Sequence, residues 1–179
     1  MATIAMTIAR PAGARQVAGV EFADSIRTES IRFRLNGVAV YRKFGVRVLA
    51  AGLWLEEPQR DAAAILHRDA PRRYVTHFLH GVSAKKIRSA WKEGLEANAP
   101  DAGADVRRDF ERLGAWIHDF RSGEEISVTY VPGRGSLVEI NGIRAGSISG
   151  KPFADAYFAL ALGPRPGLGQ SFRKSLLGP

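Results

Sequence analysis

The stretch that most constrains this chain is EISVTYVPGRGSLVEINGIRAGSISG, Glu125 to Gly150. Apolar and polar residues alternate in three short runs, separated by Pro132-Gly133-Arg134-Gly135 and by Asn141-Gly142. Alternation at a period of two is the signature of a half-buried strand. Asn-Gly between two such runs is a strong two-residue hairpin signal. The segment therefore predicts three consecutive antiparallel strands. KPFADAYFALALG follows as an apolar helix with Pro152 near its first turn, where the missing N–H is harmless. The tail PRPGLGQSFRKSLLGP is expected to hold one last helical turn.

The same reading runs back toward the N-terminus. VAGVEF (Val17 to Phe22) predicts a short first strand. IRFRLNGVAVYRKF alternates from Ile31 and pauses at Asn36-Gly37, a turn or bulge signal. VRVLAAGLWLE is nearly apolar, as expected of a strand covered on both faces. Glu57-Pro58 ends it, QRDAAAILHRD predicts a short helix, and RRYVTHFLHG another strand. Ser83 caps the helix AKKIRSAWKEGLEAN, in which Ile87, Trp91 and Leu95 recur at helical spacing. After a loop at Asp101 to Asp105, VRRDFERLGAWIHDF places Val106, Phe110, Leu113, Ile117 and Phe120 on one helical stripe. Strands, helices, then a meander and a helix define an α+β class, with helices layered on a largely antiparallel sheet.

At 179 residues the chain suits one domain. Residues 17–179 are expected to form it, with 1–16 a poorly ordered extension. The start MATIAMTIARPAGARQ has no basic residue ahead of its apolar stretch, which makes a poor signal peptide. No later stretch reaches the length of a membrane span, so stable membrane insertion is not expected. The compartment stays open: periplasmic if an export signal has been removed, otherwise cytoplasmic. The net charge of +8 and pI near 10.3 permit attraction to anionic partners. The cations are dispersed among pairs such as Arg72-Arg73, Lys85-Lys86 and Arg107-Arg108, with no nucleic-acid motif, so no nucleic-acid partner is expected.

Several chemistries find no support. The absence of cysteine excludes thiol catalysis and thiolate metal sites. His77 and His80 are three apart on an expected strand and point to opposite faces, and His67 and His118 add no ligand spacing. No G-x-S-x-G elbow occurs. PGRGSLVEING lacks the Lys-Ser/Thr ending of a phosphate loop and opens a strand. Glu56-Glu57 and Glu124-Glu125 sit at element ends, where carboxylates are solvated. Trp54, Trp91 and Trp116 are expected in the core, with cavity walls as the functional alternative.

Four segments in order, VAGVEFADSI, LNGVAVYRKFGVRVLAAGLWLE, FLHGVSAKKIRSAWKEGLEAN and YVPGRGSLVEINGIRAGSISGKPFADAYFALALGPRP, ending at SLLG, resemble the chalcone isomerase family. The likeness is to its bacterial chalcone isomerase-like branch and covers Val17 to Gly178. It implies an open-faced β-sandwich, a curved antiparallel sheet whose helical layer encloses a cleft for an apolar ligand, and no cofactor. In the plant enzymes an arginine stabilises the negative charge that develops during ring closure, while hydroxyl and amide side chains order a water at the ketone. At the matching positions this sequence has Tyr41 for the arginine (with Arg42 one step on), Leu49 for a threonine, Ile87 and Gly94 for a tyrosine and an asparagine, and Leu160 near a hydroxyl residue.

The polar positions are thus apolar or altered, and ring closure is not expected. Non-catalytic relatives bind fatty acids, with arginine and tyrosine on the carboxylate. The resemblance therefore implies a non-catalytic protein that binds a fatty acid or similar amphipathic small molecule. Tyr41, Arg47, Leu49, Ile87, Trp91 and Leu160 would line the site. By period-two alternation Arg47, Leu49, Ala51, Leu53 and Leu55 share a face, which would set Arg47 at the cleft's rim. An isomerase with altered catalytic residues is the alternative, and an interaction module whose cleft has filled with side chains is a third reading.

Overall fold

The computed structural model describes residues 13–28 and 30–179. Its centre is a seven-stranded antiparallel sheet in which sequence order is spatial order. The strands are β3 (Ser25–Thr28), β4 (Ile31–Lys43), β5 (Val46–Leu55), β6 (Arg72–Phe78), β7 (Glu125–Val131), β8 (Gly135–Ile140) and β9 (Ile143–Ile148). A pure meander is the topology that short local turns dictate. The C-terminal part follows its turn chemistry as expected: Asn141 and Gly142 both take positive φ and join β8 to β9.

β1 (Ala14–Val17) and β2 (Val20–Ala23) form a separate hairpin. Val17 to Phe22 is therefore not one strand. Ala18 and Gly19, both at positive φ, turn the chain in its middle. The hairpin packs Phe22, Val17 and Val20 on one face of the sheet against Phe33, Val38, Ala50, Trp54 and Val75. Trp54 Nε1 donates to Ala23 O at 2.9 Å, fixing the hairpin to the sheet. Paired structure begins at Ala14, inside the expected N-terminal extension; residues 1–12 lie outside the described residues.

The other face carries the helices α1 (Ala62–His67), α2 (Ala84–Asn98), α3 (Ala104–Trp116), α4 (Lys151–Leu162) and α5 (Gln170–Leu176). Ser83 caps α2 as expected, accepting from the Lys86 amide. α3 is shorter than its apolar stripe. Ile117 is already extended, and Phe120 pairs with Val82 in an isolated bridge. The chain leaves the helix so that Asp119 can accept the Ala84 amide at 2.8 Å, a second cap for α2. Ile117 and Phe120 stay buried without being helical. α4 is the central helix, with Phe153, Ala154, Ala156, Tyr157, Phe158, Ala159, Ala161 and Leu162 all buried. The expected last turn of the tail is a seven-residue helix, α5.

Asn36-Gly37 is a bulge, not a turn: the β4–β5 register shifts between Leu35 and Gly37. The displaced Asn36 side chain donates to Gln59 O (3.0 Å) and Leu176 O (2.9 Å) and accepts from the Gln59 amide (2.8 Å). One side chain thus ties the sheet to the β5–α1 loop and to the end of α5. No helix among the described residues is long and apolar enough to cross a membrane.

Candidate functional site

Because paired residues in a sheet share a face, the register sorts the helix-facing side chains into rows across the strands. The first row is Tyr41, Leu49 and Phe78. The second is Ala39, Ala51, Thr76 and Ile126, and the third Gly37, Leu53, Tyr74 and Val128. Ala39, Ala51 and Thr76 are three small side chains on adjacent strands. With strands ~4.8 Å apart, they make a shallow trough in the sheet, walled by larger side chains on either side.

α2 and α4 supply the roof. Ile87 and Trp91 come from α2, Tyr157 and Leu160 from α4, and all belong to one apolar cluster with Tyr41 and Leu49. Trp91 meets Tyr157 edge to face at 6.2 Å between centroids, and Tyr157 meets Tyr74 likewise at 6.4 Å. A line of aromatic contacts therefore runs from α2 through α4 to the sheet. The two helices approach closely because position 94 is glycine. A Cβ there would lie 2.7 Å from Leu160 Cδ2. Leu160 thus occupies the space that a side chain at 94 would take, so the two departures from the family pattern are coupled in size.

Of the expected site residues, Tyr41, Leu49, Ile87, Trp91 and Leu160 are brought into this cluster. Arg47 is not. The register slips between Tyr41 and Arg42, so that Tyr41 faces Leu49 while Arg42 faces Arg47, with Val48 as the extra residue. A one-residue slip reverses the side-chain sense. Arg47 therefore leaves the face of Leu49 and stands exposed with Arg42. The alternation that would have set it at the rim is broken by this bulge.

Three polar side chains of the interior escaped the sequence reading: Tyr74, Thr76 and Tyr157. The signal for two of them was present, since RRYVTHF alternates and puts Tyr74, Thr76 and Phe78 on one face. Tyr157 lies one helical turn before Leu160. Burial pushes the phenols of Tyr74 and Tyr157 well above the usual range; the Thr76 hydroxyl beside Tyr74 opposes part of this, and proximity to Tyr74 adds to the rise at Tyr157. The neutral form is the favoured one because desolvation penalises phenolate. Both are thus neutral hydrogen-bonding groups, unsuited to act as bases near neutral pH. Raising the pH through about 10, where free tyrosine ionises, should leave these two phenols protonated in the folded protein. Absorbance at 295 nm should then show delayed ionisation that normalises in denaturant; Tyr74→Phe and Tyr157→Phe should each remove part of the delayed amplitude.

No cation belongs to the first three rows. The fourth, at the opposite end from Tyr41, is Arg34, Leu55, Arg72, Tyr130 and Ser136. Arg72 is 1% exposed, and its guanidinium, apart from an Nε that has no hydrogen-bond partner, is committed to structure. Its Nη1 donates to Ile65 O (2.6 Å) and Leu66 O (3.2 Å), its Nη2 pairs with Asp155, and its guanidinium lies between the rings of Tyr130 and Phe158. The first three rows therefore present apolar side chains and neutral hydroxyls, and no charged group. Such a lining suits a hydrocarbon or aromatic body with few polar groups.

An antiparallel sheet backed by one hairpin and roofed by helices is an open-faced β-sandwich. The chain belongs to the chalcone isomerase-like family, whose model matches residues 14–178. No curated protein matches the sequence. Among solved structures, the crystal structure of the Arabidopsis thaliana fatty-acid binding protein AtFAP1 is similar, with a TM-score of 0.71 at 17% identity, covering 92% of this chain and 95% of that one. At that identity the likeness establishes the shared fold.

Proposed function

We propose that this protein binds an apolar or amphipathic small molecule, a fatty acid first among candidates, between the trough of the sheet and helices α2 and α4. The observation that carries this reading is the row Ala39, Ala51 and Thr76 on the helix-facing side of the sheet, with Ala39 and Ala51 in one apolar cluster with Trp91, Tyr157 and Leu160. Three adjacent small residues in the middle of a sheet are unusual where large side chains would fill the layer. They are what a site for a flat or extended guest requires. Tyr41, Leu49, Ile87, Trp91 and Leu160 would line the entrance, and Tyr74, Thr76 and Tyr157 the interior. A fatty-acid binding protein of the same fold supports the choice of ligand class. The carboxylate would stay at the entrance, where Tyr41 can donate one hydrogen bond, because no charge partner lies deeper.

Displacement of a fluorescent fatty acid tests the reading. The wild-type protein should bind at micromolar ligand, and Ala51→Leu, which fills the trough, should weaken binding at least about tenfold, with folding checked by circular dichroism. Equal binding by both proteins would remove the trough from the site; no binding by the wild type would remove the function. The second reading, an isomerase with altered residues, draws on the hydroxyls of Tyr74, Thr76 and Tyr157, which could hydrogen-bond a ketone. Incubation with naringenin chalcone checks it, and cyclisation no faster than in buffer would dispose of that substrate.

A further inference from the structure

All three large apolar side chains exposed among the described residues stand at one end of the sheet. Phe44 is 95% exposed, Ile143 74% and Val46 47%. Phe44 and Val46 belong to the β4–β5 turn, which projects beyond the row Tyr41, Leu49 and Phe78, whereas Ile143, at the β8–β9 turn of the same end, pairs back into the row of Ala39, Ala51 and Thr76.

The β4–β5 turn is also built against local preference. Phe44 and Gly45 are its two central residues, at φ 49° and 80°. Such a turn favours Asn-Gly, as the β8–β9 turn of the same chain has. A bulky side chain at positive φ is strained, and Phe44 repays none of that by packing, being almost fully exposed. Around it stand Arg42, Lys43 and Arg47, with Lys43 Nζ 5.8 Å from the Phe44 ring centroid. Arg42 and Arg47 oppose each other across the strands, an unfavourable like-charge pair. No acidic residue occurs from Ile31 to Leu55. Lys85 and Lys86, exposed at the start of α2, lie at this end too. The carboxylates at this end, Asp119 capping α2, Glu124 accepting from the Arg121 amide and Asn141, and Glu125 beside His77, stand on the α3–β7 connection and β7 and keep their negative charge, so the cationic surplus is confined to the β4–β5 turn and the start of α2.

We propose that the β4–β5 turn docks on the surface of an anionic lipid bilayer, with Phe44 and Val46 entering the headgroup layer and Arg42, Lys43, Arg47, Lys85 and Lys86 facing the phosphates. An apolar tip inside a basic collar matches that surface in both chemistry and charge. The contact is peripheral and crosses nothing. It does not depend on which molecule the trough holds.

Flotation with vesicles of phosphatidylcholine alone, and of phosphatidylcholine with phosphatidylglycerol, tests this on the full chain. Binding is expected only with the anionic lipid and should fade as salt screens it. Phe44→Asn should weaken it about tenfold while leaving the unfolding temperature unchanged or higher, because asparagine suits the turn. A merely structural Phe44 would give the reverse. Arg42→Gln with Lys43→Gln should cost about fivefold per cation removed. The proposal is overturned if the wild type ignores anionic vesicles at low ionic strength or if Phe44→Asn binds as well as wild type. It is likewise overturned if sedimentation velocity shows that Phe44 serves only to join two copies.

Discussion

Arg72→Ala is expected to destabilise the protein by about 3 kcal/mol in urea unfolding. Removing one member of a buried ion pair typically costs ~3–5 kcal/mol; the lower end applies because the Asp155 side chain is 36% exposed and regains water. The loss has several parts. The carbonyls of Ile65 and Leu66 lose their donor at the end of α1, the rings of Tyr130 and Phe158 lose the plane between them, and α4 loses its tie to β6. Lys151, whose Nζ also reaches Asp155 (2.6 Å) and Leu66 O (3.2 Å), can compensate only at the rim. Arg72→Met should recover part of the loss by refilling the slot between the rings. Ser136 is the control. Its buried hydroxyl, in the same row, has no partner, so Ser136→Ala should leave stability within about 0.5 kcal/mol. Equal effects at Arg72 and Ser136 would contradict the assignment of Arg72 as the junction of α1, β6 and α4.

Gly37→Ala is expected to cost as much, about 3 kcal/mol, by a different route. A Cβ at this position would lie 2.3 Å from Ser175 O and 2.4 Å from Leu176 O. Both are backbone atoms, so no rotamer relieves the clash; α5 must move off β4. Moving it also breaks the Asn36 bond to Leu176 O and uncovers Phe172 and Leu176. Limited trypsinolysis should then cut after Arg173 or Lys174 far faster than in the wild type. Asn36→Ala should show the same pattern more mildly, since it removes hydrogen bonds without adding a clash. An unchanged digestion rate in Gly37→Ala would mean that α5 is not held through this contact.

These two residues also show how far the sequence could be read. The pause at Asn36-Gly37 was visible because a polar residue and a glycine interrupt an alternating run. Its purpose was not, because the partner carbonyl lies 140 residues away. The C-terminal meander was legible because both its turns carry their own local chemistry. The β4–β5 register was not: the extra residue at Val48 is set by pairing across strands and leaves no mark in a run that alternates on either side. That slip is why Arg47 fell on the wrong face in the sequence reading. The stripe from Val106 to Phe120 overran the helix because buried residues keep their spacing after the backbone has turned extended at Ile117. Within the candidate site, Tyr41, Leu49, Ile87 and Leu160 are legible from the resemblance, at positions where the family's pattern is polar, and Trp91 from its helical spacing. Tyr74, Thr76 and Tyr157 were passed over because their facing depends on register and on helix packing.

Charge developing on an oxygen needs a donor or cation placed in advance, and here the donors at hand are the hydroxyls of Tyr74, Thr76 and Tyr157, with no cation among the first three rows. An apolar guest needs only room and the exclusion of water. On the helix-facing side of the sheet three small residues lie side by side across β4, β5 and β6, and that is the place proposed for it.

Nuclear Overhauser contacts from a ¹³C-labelled fatty acid to the protein's methyl groups test this placement most directly. Contacts from the acyl chain to the methyls of Ala39, Ala51 and Thr76, lost in Ala51→Leu, are the predicted result. Saturating ligand that leaves those three methyls unshifted would contradict it.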